Sequence, residues 1–154
     1  MKPKILFILH LPPPIHGAAM MGKYIQESEL VNSSFDCFCI NLATAGSLSD
    51  IGHISLKKLL KYFFLLKHIS HVVREIRPEL VYITPNAGGK AFFKDFIVVQ
   101  MLKSMGCKVI AHYHNKGVSV YQSKWVYNFF YKRFFSNLKV ILLAENLYKD
   151  IAKY

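Results

Sequence analysis

Residues 4–19 read KILFILHLPPPIHGAA, and the order of residue types in this stretch decides the fold. Ile5 to Leu9 is a short apolar run, and Pro12, Pro13 and Pro14 cut it off. Proline cannot donate to a sheet ladder and cannot sit in a helix interior, so a strand ends here. Gly17 then permits a tight turn, and residues 18–25 can start a helix whose first N–H groups lack an intrahelical partner. A strand, a rigid turn and a bare helix N-terminus suit an anionic group. The stretch therefore places a ligand site at the first strand–helix junction of an α/β domain.

The alternation continues outward from that junction. Strands are predicted over 4–10, 35–41, 80–84, 108–112 and 139–143, and helices over 18–30, 56–77, 91–105, 120–135 and 145–154. The polar stretch 42–55 reads as a long loop, 85–89 as a turn and 114–119 as a second loop. Gly106 closes the third helix as a C-terminal glycine. Strands rich in Ile, Val and Leu that alternate with helices predict a parallel sheet covered on both faces. With right-handed crossovers the expectation is a doubly wound, Rossmann-like α/β sheet of order 3-2-1-4-5. Ligands then bind beyond the carboxyl ends of the strands, which makes the loops after Leu9, Thr84 and His112 the candidates.

Composition bounds the function classes. The 154 residues suit one domain, with 53% hydrophobic, 14% aromatic and 19% charged residues. That apolar content predicts surface covered by a partner, another domain or a membrane. Lys and Arg number 20 against 9 Asp and Glu, a net charge of +11 that favours anionic partners. No recognised nucleic-acid module accompanies the charge, so nucleic acid is not expected as a partner. Cys37, Cys39 and Cys107 are an odd number without a Cys-x-x-Cys pair, which suggests neither a disulfide framework nor zinc. Cys37 and Cys39 alternate on one strand face as small core residues, and a reducing cytoplasm is the simplest setting. The apolar N-terminal run is too short and proline-broken for a signal peptide, and no run of about 20 apolar residues predicts a spanning helix.

Three constellations carry candidate chemistry. His16, Gly17 and Ala18 stand where the fold places a ligand: Gly17 allows close backbone approach, and His16 can bond a phosphate or a sugar hydroxyl. Gly-x-Gly-x-x-Gly is absent, which disfavours a dinucleotide dehydrogenase. His112 and His114 share one face if the chain is extended. Either both point into the cleft, or His112 is buried in the sheet and His114 alone is exposed. No carboxylate or cysteine stands near them in sequence, so no metal is expected. Asn86 lies in Pro85-Asn86-Ala87-Gly88-Gly89-Lys90, which lacks the Walker spacing and reads equally as a phosphate cradle or a plain turn. Asp95 and Glu145 are carboxylate candidates by position only, and no Gly-x-Ser-x-Gly anchors a serine triad.

Two helices bear on membrane contact. In 56–77, helical turning puts Lys57, Lys61, His68, His71 and Glu75 on one stripe, with Phe64 inside it. The opposite face, including Leu59, Phe63, Leu66, Ile69 and Val73, is expected to pack on the sheet. In 120–135, Trp125, Tyr127, Phe129, Phe130, Tyr131, Phe134 and Phe135 encircle the helix, leaving Lys124, Asn128 and Lys132 as its polar line. Such a helix is buried by more than one sheet face, against a neighbouring domain or an anionic membrane surface.

The same residues resemble the N-terminal half of family 4-type glycosyltransferases, enzymes of the two-domain GT-B fold. The resemblance covers essentially the whole chain. It is carried by KILFILHLPPPIHGAA, by LVYITPN at the third strand, by KVIAHYHN at the fourth and by VILLAENLYKDIAKY at the fifth. It implies that residues 1–154 are an acceptor-side domain, with the donor-binding half beyond Tyr154 or on a second subunit. The implied reaction is retaining transfer from a nucleotide-sugar, a co-substrate, to a saccharide or lipid-linked acceptor in cell-surface polysaccharide synthesis, without a metal. His114 corresponds to the cleft histidine near the reacting sugar, and His16, Gly17, Ala18, Asn86 and His112 to substrate contacts. The implied location is the cytoplasmic face of the membrane, peripherally attached. The rival expectation is a non-catalytic α/β module that docks a partner protein or an anionic membrane.

Overall fold

The computed structural model describes residues 1–13, 15–42 and 56–154. The predicted loop 42–55 therefore lies outside the described residues, apart from the buried Leu42. The elements are β1 (Lys4–Leu9), α1 (Gly17–Glu27), α2 (Glu29–Ser34), β2 (Asp36–Asn41), α3 (Leu56–Ile76), β3 (Leu80–Ile83), α4 (Gly89–Ser104), β4 (Val109–Tyr113), α5 (Val118–Tyr121), α6 (Trp125–Phe135), β5 (Lys139–Leu142), a 3-10 turn (Glu145–Leu147) and α7 (Tyr148–Ile151). They build an α/β fold of Rossmann-like type with a five-stranded, all-parallel sheet.

The strand order is β2-β1-β3-β4-β5, not 3-2-1-4-5. The β-α-β pattern alone does not say which way the second crossover runs, and here it returns across β1. Residue chemistry explains the choice. Asp-Cys-Phe-Cys-Ile-Asn is polar at both ends and buries only Ile40, as an edge strand does, whereas β3 buries Val81 and Ile83 completely. Cys39 is accordingly exposed rather than a core residue, while Cys37 is half-buried.

Three predicted helices are each interrupted. Ser28 leaves the helical region and accepts the Val31 amide through Oγ at 3.4 Å, ending α1 and capping α2. Residues 122–124 separate α5 from α6, and a 3-10 turn precedes the short α7.

Residues Met1–Tyr82 and Ile83–Tyr154 form two compact units. In the first, every residue from Ile5 to Leu9 is buried, and Ile5, Phe7 and Leu9 form a cluster with Ile25, Val31, Phe35 and Leu80 around them. Residues i, i+2 and i+4 of a strand line one face, which is why these three act together. The second unit has an aromatic core. Phe92 of α4 lies 4.5 Å from Tyr131 and 5.5 Å from Phe134 of α6, measured between ring centres. Tyr113 of β4 meets Phe135 at 6.0 Å. Lys103 of α4 extends its ammonium to the carbonyls of Arg133, Phe134 and Ser136, capping the C-terminus of α6.

Candidate functional sites at the strand ends

In the first unit, His16 is the N-cap of α1. Its backbone is extended, and its Nδ1 accepts the Ala19 amide at 3.3 Å. One of the helix N–H groups expected to face a ligand is therefore already taken by His16 itself. Because Nδ1 is an acceptor, the ring of a neutral His16 carries its proton on Nε2. The His10 and His16 rings stand edge to face with centres 5.9 Å apart.

Gly17 is exposed, and a Cβ placed there would meet nothing within 4 Å. The fold does not require glycine at that position, so the tight-turn rationale falls away and only open space above the backbone remains. The demanding glycine is Gly22, where a Cβ would collide with the His10 carbonyl oxygen. Sequence reasoning passed over it, although a glycine inside a helix costs about 1 kcal/mol relative to alanine and is itself a signal of close packing. Ala18 is half-buried, and Ala19 beneath it is fully buried.

In the second unit, the turn between β3 and α4 is held from several sides. The Asn86 amide and its Nδ2 both donate to Asp95 Oδ2, at 2.8 and 2.7 Å. The Ala87 amide donates to Asn115 Oδ1 at 3.1 Å, and the Tyr131 hydroxyl donates to the Ala87 carbonyl. Gly88 faces the Tyr121 ring so closely that a Cβ cannot fit, and Gly89 has φ +67°. Gly88 caps α4 with no side chain, and no acidic residue occupies the first turn. Asp95 was a candidate by position alone; its place beneath this turn, engaging Asn86, could not be seen in the spacing.

At the end of β4 the structure brings His112 and His114 together, with ring centres 4.2 Å apart and an interplanar angle of 42°. Both are half-buried, so neither of the two alternatives holds in its simple form. Burial first, and then the neighbouring His114, lower the His112 pKa to about 4. Burial also lowers that of His114. Both imidazoles are therefore neutral at pH 7. Neither ring nitrogen of His114 has a hydrogen-bond partner among the described residues, although both are buried. Neutral imidazole offers one donor and one acceptor, which matches a hydroxyl better than a phosphate. Among the described residues no group of three or more His, Cys, Asp or Glu is placed to hold a metal ion.

The loop after His114 is tied down by a residue that sequence reasoning missed. Asp150 of α7 is 4% exposed and accepts from the amides of Gly117, Val118 and Ser119 and from Ser119 Oγ. Burial alone would raise its pKa, but these bonds outweigh it and hold the carboxyl below its usual range.

The surface helices divide differently from the expected pattern. On α3, Ile69 and Val73 are buried, but Leu59 and Phe63 are exposed together with Leu56, Leu60 and Phe64. The spacing 56, 59, 60, 63, 64 is one stripe of a helix, so the first half of α3 presents a second apolar face to solvent. Lys57 and Lys61 border that stripe, and Lys67 Nζ stands 4.8 Å from the centre of the Phe63 ring. On α6, Tyr131, Phe134 and Phe135 are buried while Trp125, at 80% exposure, and Phe129 face outward. Among the described residues no helix is long and apolar enough to cross a membrane.

Comparison with protein-family models, with curated proteins and with solved structures gives no match. The chain is an α/β domain built on a five-stranded parallel sheet of order 2-1-3-4-5.

Proposed function

We propose that this chain is the acceptor-side domain of a retaining glycosyltransferase that uses a nucleotide-sugar to extend a cell-surface saccharide. The reading needs a second, donor-binding α/β half supplied elsewhere. The observation that carries it is the pair of neutral imidazoles at the end of β4, where His114 keeps a buried donor and acceptor with no protein partner among the described residues. A sugar hydroxyl satisfies both. His16 and the open space over Gly17 support the same reading in the first unit, since an Nε2–H donor and an approachable backbone suit a sugar or a phosphate oxygen. Catalysis in this scheme is positioning and electrostatic stabilisation of the departing diphosphate, not a covalent step on this domain. In an active enzyme containing this chain, His114→Ala lowers turnover about tenfold or more, the loss of one interaction worth ~1.4 kcal/mol at the transition state. Unchanged turnover overturns the role of His114.

A second reading, docking on an anionic bilayer at the cytoplasmic face, is favoured by the exposed stripe of α3. Five large apolar side chains flanked by lysines form an amphipathic surface of the kind that lies in a membrane interface. Each lysine near an anionic surface contributes about 1 kcal/mol. Vesicles with anionic lipid therefore sediment the protein, and Lys57→Glu with Lys61→Glu weakens this at least tenfold. Added salt weakens it too. Binding indifferent to lipid charge and to salt sinks this reading.

A further inference from the structure

Asp95 is fully buried, and its two carboxyl oxygens have opposite surroundings. Oδ2 accepts two bonds from Asn86, one from the backbone amide and one from Nδ2. Oδ1 is buried with no hydrogen-bond partner among the described residues. An ionised carboxylate shares its charge between both oxygens and can only accept, so half of that charge sits unpaired in the interior. A protonated carboxyl carries its hydrogen on the oxygen that receives no donors, which is Oδ1, and leaves Oδ2 still accepting.

We propose that Asp95 is a positioning residue that holds the β3–α4 turn in two states, a neutral one and an ionised one that grips Asn86 more tightly. Deprotonation breaks only the Oδ1–H bond and releases its proton to solvent. The two Asn86 bonds then become charge-assisted, which shortens and strengthens them. The turn's other contacts are separate from the carboxyl: Ala87 is held by Asn115 and Tyr131, and Gly88 packs on the Tyr121 ring. The proposal concerns this chain's own turn and does not rest on the glycosyltransferase reading.

The charged and titratable groups around the carboxyl are few. Lys94, next to it on α4, favours the ionised form, as do the two Asn86 bonds, but burial outweighs them and raises the pKa to about 6. From β4, the phenol of Tyr113 is within reach of the charges of Asp95, of Tyr131 on α6 and of Asp150 on α7. Burial raises both Tyr113 and Tyr131, so these phenols stay protonated through the acid and neutral range.

The test is carbon and nitrogen NMR of the labelled 154-residue chain between about pH 3 and 8, a range that spans the ordinary carboxyl pKa of about 4. The Asp95 carboxyl carbon and both Asn86 N–H groups shift together with one midpoint near pH 6. Asp95→Asn, which can still accept both Asn86 bonds, abolishes the Asn86 shift while His112 and His114 titrate as before. Should that variant not fold, Asn86→Ala serves instead: it removes one bond to the ionised form and moves the Asp95 midpoint upward. An Asp95 carboxyl that titrates near pH 4, Asn86 signals that do not follow it, or an unmoved midpoint in Asn86→Ala overturns the proposal.

Discussion

Gly22 of α1 lies directly against the carbonyl oxygen of His10, leaving no room for a Cβ between helix and strand end. This contact fixes how α1 leaves the proline-rich turn, and hence where the His16 ring stands as the helix cap. Gly17, five residues earlier, has open space around it.

The two glycines therefore respond oppositely to alanine. Gly22→Ala forces helix and strand apart and costs roughly 1–3 kcal/mol, as overpacking does. Gly17→Ala is neutral or stabilises by up to about 1 kcal/mol through reduced freedom of the unfolded chain. Urea unfolding of the two variants checks this, and a larger loss at Gly17 than at Gly22 contradicts the packing described.

The buried Asp95 and the half-buried His112 make stability depend on pH in opposite senses. Asp95 has its pKa raised to about 6 in the fold, so the native state binds more protons than the unfolded chain between about pH 4 and 6, and stability falls as pH rises through that window. The ionised form forgoes roughly 3 kcal/mol relative to the neutral one. His112, lowered to about 4, binds fewer protons when folded, so its contribution is lost as pH falls from about 6.5 toward 4. The wild-type curve is flatter than either contribution. Asp95→Asn unmasks the His112 slope, with stability rising steeply with pH, and His112→Asn unmasks the opposite slope. Unfolding free energies at four pH values between 4.5 and 7.5 decide it; parallel curves for the wild type and Asp95→Asn rule the account out.

Much of this architecture was legible because backbone chemistry is local. Three prolines after an apolar run end a strand wherever they occur, and Gly106 closes α4 with φ +77°. The polar ends of Asp36-Cys37-Phe38-Cys39-Ile40-Asn41 mark β2 as an edge beside the more apolar Leu80-Val81-Tyr82-Ile83, and the order follows that contrast. Helix α3 departs from the expectation of a single apolar face. Its residues carry two, and only burial distinguishes the buried Ile69 and Val73 from the exposed Leu59 and Phe63. Of the candidate site, the His112–His114 pairing followed from strand spacing, since alternate residues share a face. Asp95 and Asp150 did not. Each acts on a segment brought near it by tertiary packing, nine residues away in one case and more than thirty in the other, and no periodicity encodes such bonds.

The most direct measurement is an NMR titration of the His114 imidazole, in an active enzyme containing this chain together with its donor-binding half, with a nucleotide-sugar and, separately, with the same nucleotide lacking the sugar. The account predicts saturable movement of the His114 ring signals with the nucleotide-sugar and little or none with the bare nucleotide. An equal response to both ligands, or none to either, contradicts a sugar-binding role for the end of β4.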